Sequence, residues 1–170
     1  SSILGEFAKN IRIEVLRTID AAGIGHVGGD FSATDILAVI FGSVLRMEPA
    51  NPELETRDRF IMSKGHAAAS LYSAMALVGY FDIEELKTFA GNNSRLGGHP
   101  NRSKLPGIET NTGPLGHGLP VAAGIATGLK LARKSSKVFV LTGDGEMQEG
   151  SNRKARVVQA SPKNTQRVRR

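Results

Sequence analysis

At 170 residues and 18.1 kDa the chain has room for one ordinary domain and not for two large ones. Hydrophobic residues make up 40 % and charged residues 22 %, a balance that builds a packed core and excludes a disordered chain; the absence of cysteine excludes disulfides, thiolate metal sites and a cysteine nucleophile, and favours a reducing compartment. The net charge of +6 belongs to residues 153–170, which carry seven basic side chains and no acidic one, so residues 1–152 balance 15 basic against 16 acidic groups and lack the basic face of a nucleic-acid-binding fold.

Residues 1–22 predict a helix, since Ile3, Leu4, Phe7, Ile11, Val15, Leu16 and Ile19 recur at three- and four-residue steps. The stretch Gly23-Ile-Gly-His-Val-Gly-Gly-Asp30 is too glycine-rich for a regular element, and Ser32-Ala-Thr-Asp35 reads as a capping box that opens a helix towards Arg46. Arg59-Phe-Ile-Met-Ser63 reads as a short bridge into a helix from about Lys64 to Gly79. Asp82-Ile-Glu-Glu85 caps a further helix that ends before Gly91. Residues 91–118 are loop by composition, and a small-residue helix follows from Pro120, with Gly124 and Gly128 on one face for close backbone packing. Lys137-Val-Phe-Val-Leu-Thr142 is the clearest strand, a continuous apolar run suited to a buried parallel sheet. Helices alternating with few strands predict an α/β fold. No apolar run nears the roughly 18 residues of a membrane span, and the N-terminus lacks a signal-peptide layout, so a soluble cytoplasmic protein is expected.

Every histidine follows a glycine: Gly25-His26, Gly65-His66, Gly98-His99 and Gly116-His117. A lone histidine is more often a surface or core residue, but chance would pair all four with glycine roughly once in five thousand sequences of this composition. Asp144, between two glycines at the end of the best strand, is placed for a cation, because ligands of open α/β sheets bind outside the carboxyl ends of strands. An ordinary Asp-Gly turn is the plainer reading of the same residues. The loop Gly113-Pro-Leu-Gly-His-Gly118 opens a helix and offers free backbone N–H groups to an anion. A phosphate-bearing cofactor bridged by Mg²⁺ would satisfy both features. Gly23-Ile-Gly-His-Val-Gly28 matches a dinucleotide fingerprint in letters only, since it follows a helix rather than a strand.

Five ordered motifs carry a family likeness. Gly25-His-Val-Gly28, Asp58-Arg-Phe-Ile-Met-Ser-Lys-Gly-His66, Gly98-His-Pro100, Thr112-Gly-Pro-Leu-Gly-His-Gly118 and Gly143-Asp-Gly-Glu-Met-Gln-Glu-Gly150 together resemble transketolase, in particular the N-terminal subunit of its split, half-size form. The resemblance implies a thiamine diphosphate-binding fold, a parallel sheet flanked by helices, over residues 1–152, truncated at its C-terminal end and followed by a basic divergent tail over 153–170 for which disorder is expected. It implies transfer of a two-carbon ketol unit from a ketose phosphate to an aldose phosphate, with thiamine diphosphate and Mg²⁺ as cofactors. Asp144 would hold the metal on the diphosphate and Gly145 would donate a backbone N–H. Gly113, Leu115 and Gly116 would line the cofactor, with His66 near its diphosphate. His26 and His99 would face the ketose and move protons, and Glu149 would couple paired active sites; His117 would act only through its neighbours.

The resemblance also implies a separate C-terminal subunit, in a dimer or heterotetramer, because the glutamate that activates the aminopyrimidine belongs to the family's second domain. The family's asparagine metal ligand would fall beyond Arg170, leaving Asn152, Asn164 or water to replace it. The abrupt change after Asn152 is what a shifted reading frame would leave. Two other readings compete: a truncated non-catalytic remnant, and a scaffold whose basic tail binds nucleic acid or acidic partners.

Overall fold

A computed structural model describes residues 2–160 and shows an α/β arrangement in which helices surround a short parallel sheet. Helix α1 spans Ile3–Ala22, as its spacing predicts, with Ser2 accepting from the Gly5 amide at its start and Gly23 in the left-handed conformation at its end. Its inward face places Ala8, Ile11, Val15 and Thr18 in the core.

The second helix corrects two expectations. α2 spans Val27–Val39, beginning inside the glycine-rich stretch, and its first residues are held from outside the helix: Lys64 Nζ donates to the carbonyl of Gly29 and to Ser32 Oγ. Ser32 and Asp35 therefore lie within the helix rather than at its cap; Ser32 Oγ donates to the Gly29 carbonyl and Asp35 pairs with Arg12. A π-helical turn, Ile40–Val44, extends α2, so Val27–Val44 is, among the described residues, one helical stretch long and apolar enough to cross a membrane. That exceeds the length read from sequence, yet core helices share these properties, and Ala33, Leu37, Ala38 and Phe41 of this stretch lie in the core against α1 and the third helix.

Arg59–Met62 is strand β1, not a bridge, and it pairs in parallel with β2, Val138–Leu141, in the register Arg59↔Val138 to Met62↔Leu141. Asp58 fixes the amino ends of both strands by accepting from the amides of Arg46 and Lys137 and pairing with the Arg46 guanidinium. Burial pushes the Asp58 carboxyl up, but Arg46 and the two amides outweigh it and hold it below its ordinary value. β2 is half-buried along its length, less enclosed than its apolar sequence predicts. A groove of about 290 Å³ opens between it and the fourth helix, lined by Leu119, Ala122, Ala126 and Phe139 among others.

Between the strands run a 3-10 turn at Gly65–Ala67, helix α3 (Ala68–Leu77), a 3-10 helix at Ile83–Thr88 capped by Asp82, the long loop, and α4 (Gly118–Leu131). Helix α3 is central: every residue from Ala68 to Ala76 is buried, and Tyr72 and Met75 pack with Leu37, Leu96 and Leu105 in the core. α4 begins two residues before the expected Pro120, and nothing lies within 4 Å of a Cβ built on Gly124 or Gly128, so these glycines serve no close packing here. After β2 come a 3-10 turn at Gly145–Gln148 and α5, Gly150–Ala160. Residues 153–160 continue that helix; the rest of the basic tail, including Asn164, lies outside the described residues.

Candidate functional site

The two parallel strands end side by side, and the chain leaving them builds one cleft. After Met62 come Ser63, Lys64, Gly65 and His66; after Leu141 come Thr142, Gly143, Asp144 and Gly145. The loop that precedes α4 closes against the first of these exits. A Cβ on Gly65 would lie 2.6 Å from Thr112 Oγ1 and 2.8 Å from the Gly113 amide nitrogen, so the approach of backbone to backbone requires glycine there. Gly116 meets both demands, with φ of 81° and a built Cβ only 2.6 Å from Glu149 Cβ.

Three of the four histidines gather at this cleft. The rings of His26, just before α2, and His66, in the 3-10 turn, meet edge to face with centroids 5.5 Å apart. His99 approaches from the long loop, its Cδ2 3.2 Å from a Cβ built on Gly113. His26 and His99 line one cavity of about 320 Å³ with Lys104 and Ser94. His66 is half-buried, and burial, with the positive fields of Lys64, His26 and His99, holds its imidazole below the ordinary 6.5 against the opposing pull of Glu146. His66 is therefore a neutral imidazole near pH 7, able to donate one hydrogen bond and accept another. His117 stands apart at the start of α4, exposed, its Nδ1 3.0 Å from the Leu115 carbonyl oxygen.

Asp144 is exposed, and its carboxylate accepts no hydrogen bond among the described residues; the space a side chain would fill at Gly145 is open. Leu115 presents 43 % of its surface and Glu149 is exposed. No group of three His, Cys, Asp or Glu side chains gathers among the described residues, so protein atoms alone do not enclose a metal around Asp144. Asn152 is not a substitute ligand: it is fully buried in α5 and its Nδ2 donates to the backbone carbonyl of Glu146 at 2.6 Å.

Sequence reasoning missed Glu146. This side chain is 2 % exposed and accepts from Ser63 Oγ at 3.0 Å, the Gly116 amide at 2.9 Å and the Gly143 amide at 3.1 Å. One consequence corrects the expected anion loop, since the Gly116 N–H is taken by Glu146 and is not free for a ligand. The local signal was a glutamate three residues after Gly143, the spacing at which a side chain reaches back to a turn amide. The other two donors are remote in sequence.

Comparison with known proteins agrees with this cleft. The family described as transketolase, thiamine diphosphate binding domain, matches residues 4–163, past the last of the five motifs. One of the two subunits of an apulose-4-phosphate transketolase from Actinobacillus succinogenes is 46 % identical over 161 residues, covering 92 % of this chain and 57 % of that protein. The SqwG subunit of a 6-deoxy-6-sulfo-D-fructose transketolase from a Clostridium species is 38 % identical, covering 84 % of this chain and 52 % of that one. This chain thus spans about half the length of these curated relatives. Among solved structures, transketolase from Leishmania mexicana superposes with a TM-score of 0.85 at 32 % identity, and that from Campylobacter jejuni with 0.84 at 38 %; each covers about nine-tenths of this chain and 25 % of the larger one.

Proposed function

The chain belongs to the transketolase family, in its thiamine diphosphate-binding domain, and from that membership we propose that it is the cofactor-binding subunit of a split transketolase. On this reading it acts with a separate C-terminal subunit, in a cytoplasmic dimer or heterotetramer, to move a two-carbon ketol unit from a ketose phosphate to an aldose phosphate. The observation that supports it most is the convergence of His66, the Gly113–Gly116 loop and Asp144 at the carboxyl ends of the two parallel strands.

Thiamine diphosphate, when bound, supplies the electron sink for cleavage and formation of the carbon–carbon bond. Asp144 would share Mg²⁺ with the diphosphate oxygens; its exposed, unbonded carboxylate fits one end of such a site, with water completing the metal's shell. Gly145, open on its side-chain face, would donate its N–H, and neutral His66 would donate a hydrogen bond rather than a charge. Gly113, Leu115 and Gly116 would line the cofactor, Gly116 by its shape because its amide serves Glu146. His26 and His99, on one cavity, would orient the ketose hydroxyls, take the proton released as the donor bond breaks and return one to the acceptor oxygen. Glu149 would face the paired active site from its exposed position.

The deciding experiment is calorimetric titration of the chain with thiamine diphosphate in the presence and absence of Mg²⁺, followed by a ketol-transfer assay after mixing with its C-terminal subunit. Mg²⁺-dependent binding and transfer support the proposal; loss of both rejects it. A non-catalytic remnant is favoured by one observation, the lack of an enclosing ligand set around Asp144, and predicts no Mg²⁺-dependent binding.

A further inference from the structure

We propose that Glu146 is the positioning residue of this cleft: its carboxylate holds the β1 exit, the Gly113–Gly116 loop and the β2 exit in the one arrangement that binds the cofactor. The proposal rests on the reading of the cleft as a thiamine diphosphate site. Its two side-chain oxygens take three donors, Ser63 Oγ and the Gly116 amide on Oε2 and the Gly143 amide on Oε1. Each donor adjoins a part of the cleft: Ser63 lies three residues before His66, Gly116 sits within the loop, and Gly143 directly precedes Asp144. The Glu146 backbone is anchored in turn by Asn152 from α5.

Three donors on two oxygens is the acceptor-only pattern of a carboxylate. Among the described residues no Lys, Arg or His nitrogen forms an ion pair with it, so backbone dipoles and one hydroxyl compensate the buried charge. Burying a charge without a counter-ion is costly, and an apolar side chain of similar size would fill the volume more cheaply. What an apolar side chain lacks is direction: it cannot tie a hydroxyl and two amides from three separate segments. Glutamine fails for a related reason, because whichever way its amide turns, an NH₂ group meets an N–H or O–H donor.

The test compares the full chain with its Glu146→Gln variant by amide hydrogen exchange and by titration with thiamine diphosphate and Mg²⁺. The expected result is exchange at the Gly116 and Gly143 amides faster by tenfold or more, unchanged protection in α3, and cofactor affinity lower by about tenfold. Unchanged exchange at those two amides overturns the proposal. So does an increase shared equally with α3, which marks a general loss of stability, and so does full cofactor affinity in a variant whose two amides have opened. If the wild-type chain binds no cofactor while the two amides open in the variant, the positioning role stands and the cofactor reading falls. Should Glu146→Gln fail to fold, Ser63→Ala removes a single donor and is expected to weaken cofactor binding a few-fold at unchanged α3 protection; unchanged affinity overturns the proposal.

Discussion

The carboxylate of Asp30 on α2 accepts the backbone amide of Ser70 at 2.8 Å, so a side chain from one helix closes the first turn of another. Asp30 is fully buried and its second oxygen, Oδ2, has no hydrogen-bond partner. Burial raises its pKa above the ordinary 3.8, against the pull of Ser70 and His26. A carboxyl raised in the folded state stabilises the fold fully below its unfolded value and loses that contribution as pH rises through the folded value. Asp30→Asn keeps the acceptor for Ser70 and removes the charge. The variant's stability relative to wild type is therefore expected to increase from about pH 4 to pH 7. Urea denaturation of both proteins at the two pH values measures it, and a difference that stays flat or shrinks rejects the assignment.

His66 yields the opposite sign. Its depressed pKa means that the unfolded chain takes the proton first, so stability is fully present above the ordinary 6.5 and declines as pH falls towards the folded value. In a proton NMR titration the His66 ring signals are expected to change with a midpoint below 6.5; a midpoint at or above it contradicts the neutral imidazole on which the proposed contact depends. His66→Gln keeps a neutral donor and is expected to retain more cofactor affinity than His66→Ala, which loses about tenfold, or roughly 1.4 kcal/mol.

Two glycines of α4 separate packing from propensity. A Cβ on Gly118 would lie 2.4 Å from Ser63 Oγ and 2.7 Å from Ser63 Cα, a backbone atom that cannot swing aside. Gly118→Ala is expected to cost about 1–3 kcal/mol and to disturb Ser63 against Glu146. Gly124 meets nothing within 4 Å, so Gly124→Ala is expected to stabilise by about 0.4–1 kcal/mol through the unfolded chain and helix propensity. Chemical denaturation midpoints check both, and equal effects at the two positions would refute the distinction.

Local patterns made α1 and β2 readable, since each needs only its own residues: apolar spacing of three and four in one, an unbroken apolar run in the other. The strand β1 escaped because four residues that begin with an arginine show no period, and its identity depends on pairing with residues some eighty positions later. The start of α2 escaped for the same kind of reason. Glycines at 28 and 29 disfavour a helix locally, and the Lys64 ammonium that ties down Gly29 and Ser32 comes from the far side of the cleft. Asp144 was legible because a carboxylate between glycines at a strand end is a local signal. Glu146, two positions on, was not, because Ser63 and Gly116 become its partners only once the chain has folded.

Asp144 provides the sharpest separation of binding from folding. Its side chain is exposed and accepts no hydrogen bond among the described residues, so replacing it leaves the fold little changed, within about 0.5 kcal/mol. Asp144→Asn keeps the shape and loses the charge that a hard divalent cation requires. The variant is expected to melt with wild type yet bind thiamine diphosphate at least about tenfold more weakly in Mg²⁺, with little further change when the metal is removed. Parallel calorimetric titrations with and without Mg²⁺ provide the measurement. A variant that keeps the wild-type response to Mg²⁺ would show that the metal is held elsewhere, and a variant that unfolds would show that Asp144 supports the β2 exit as well.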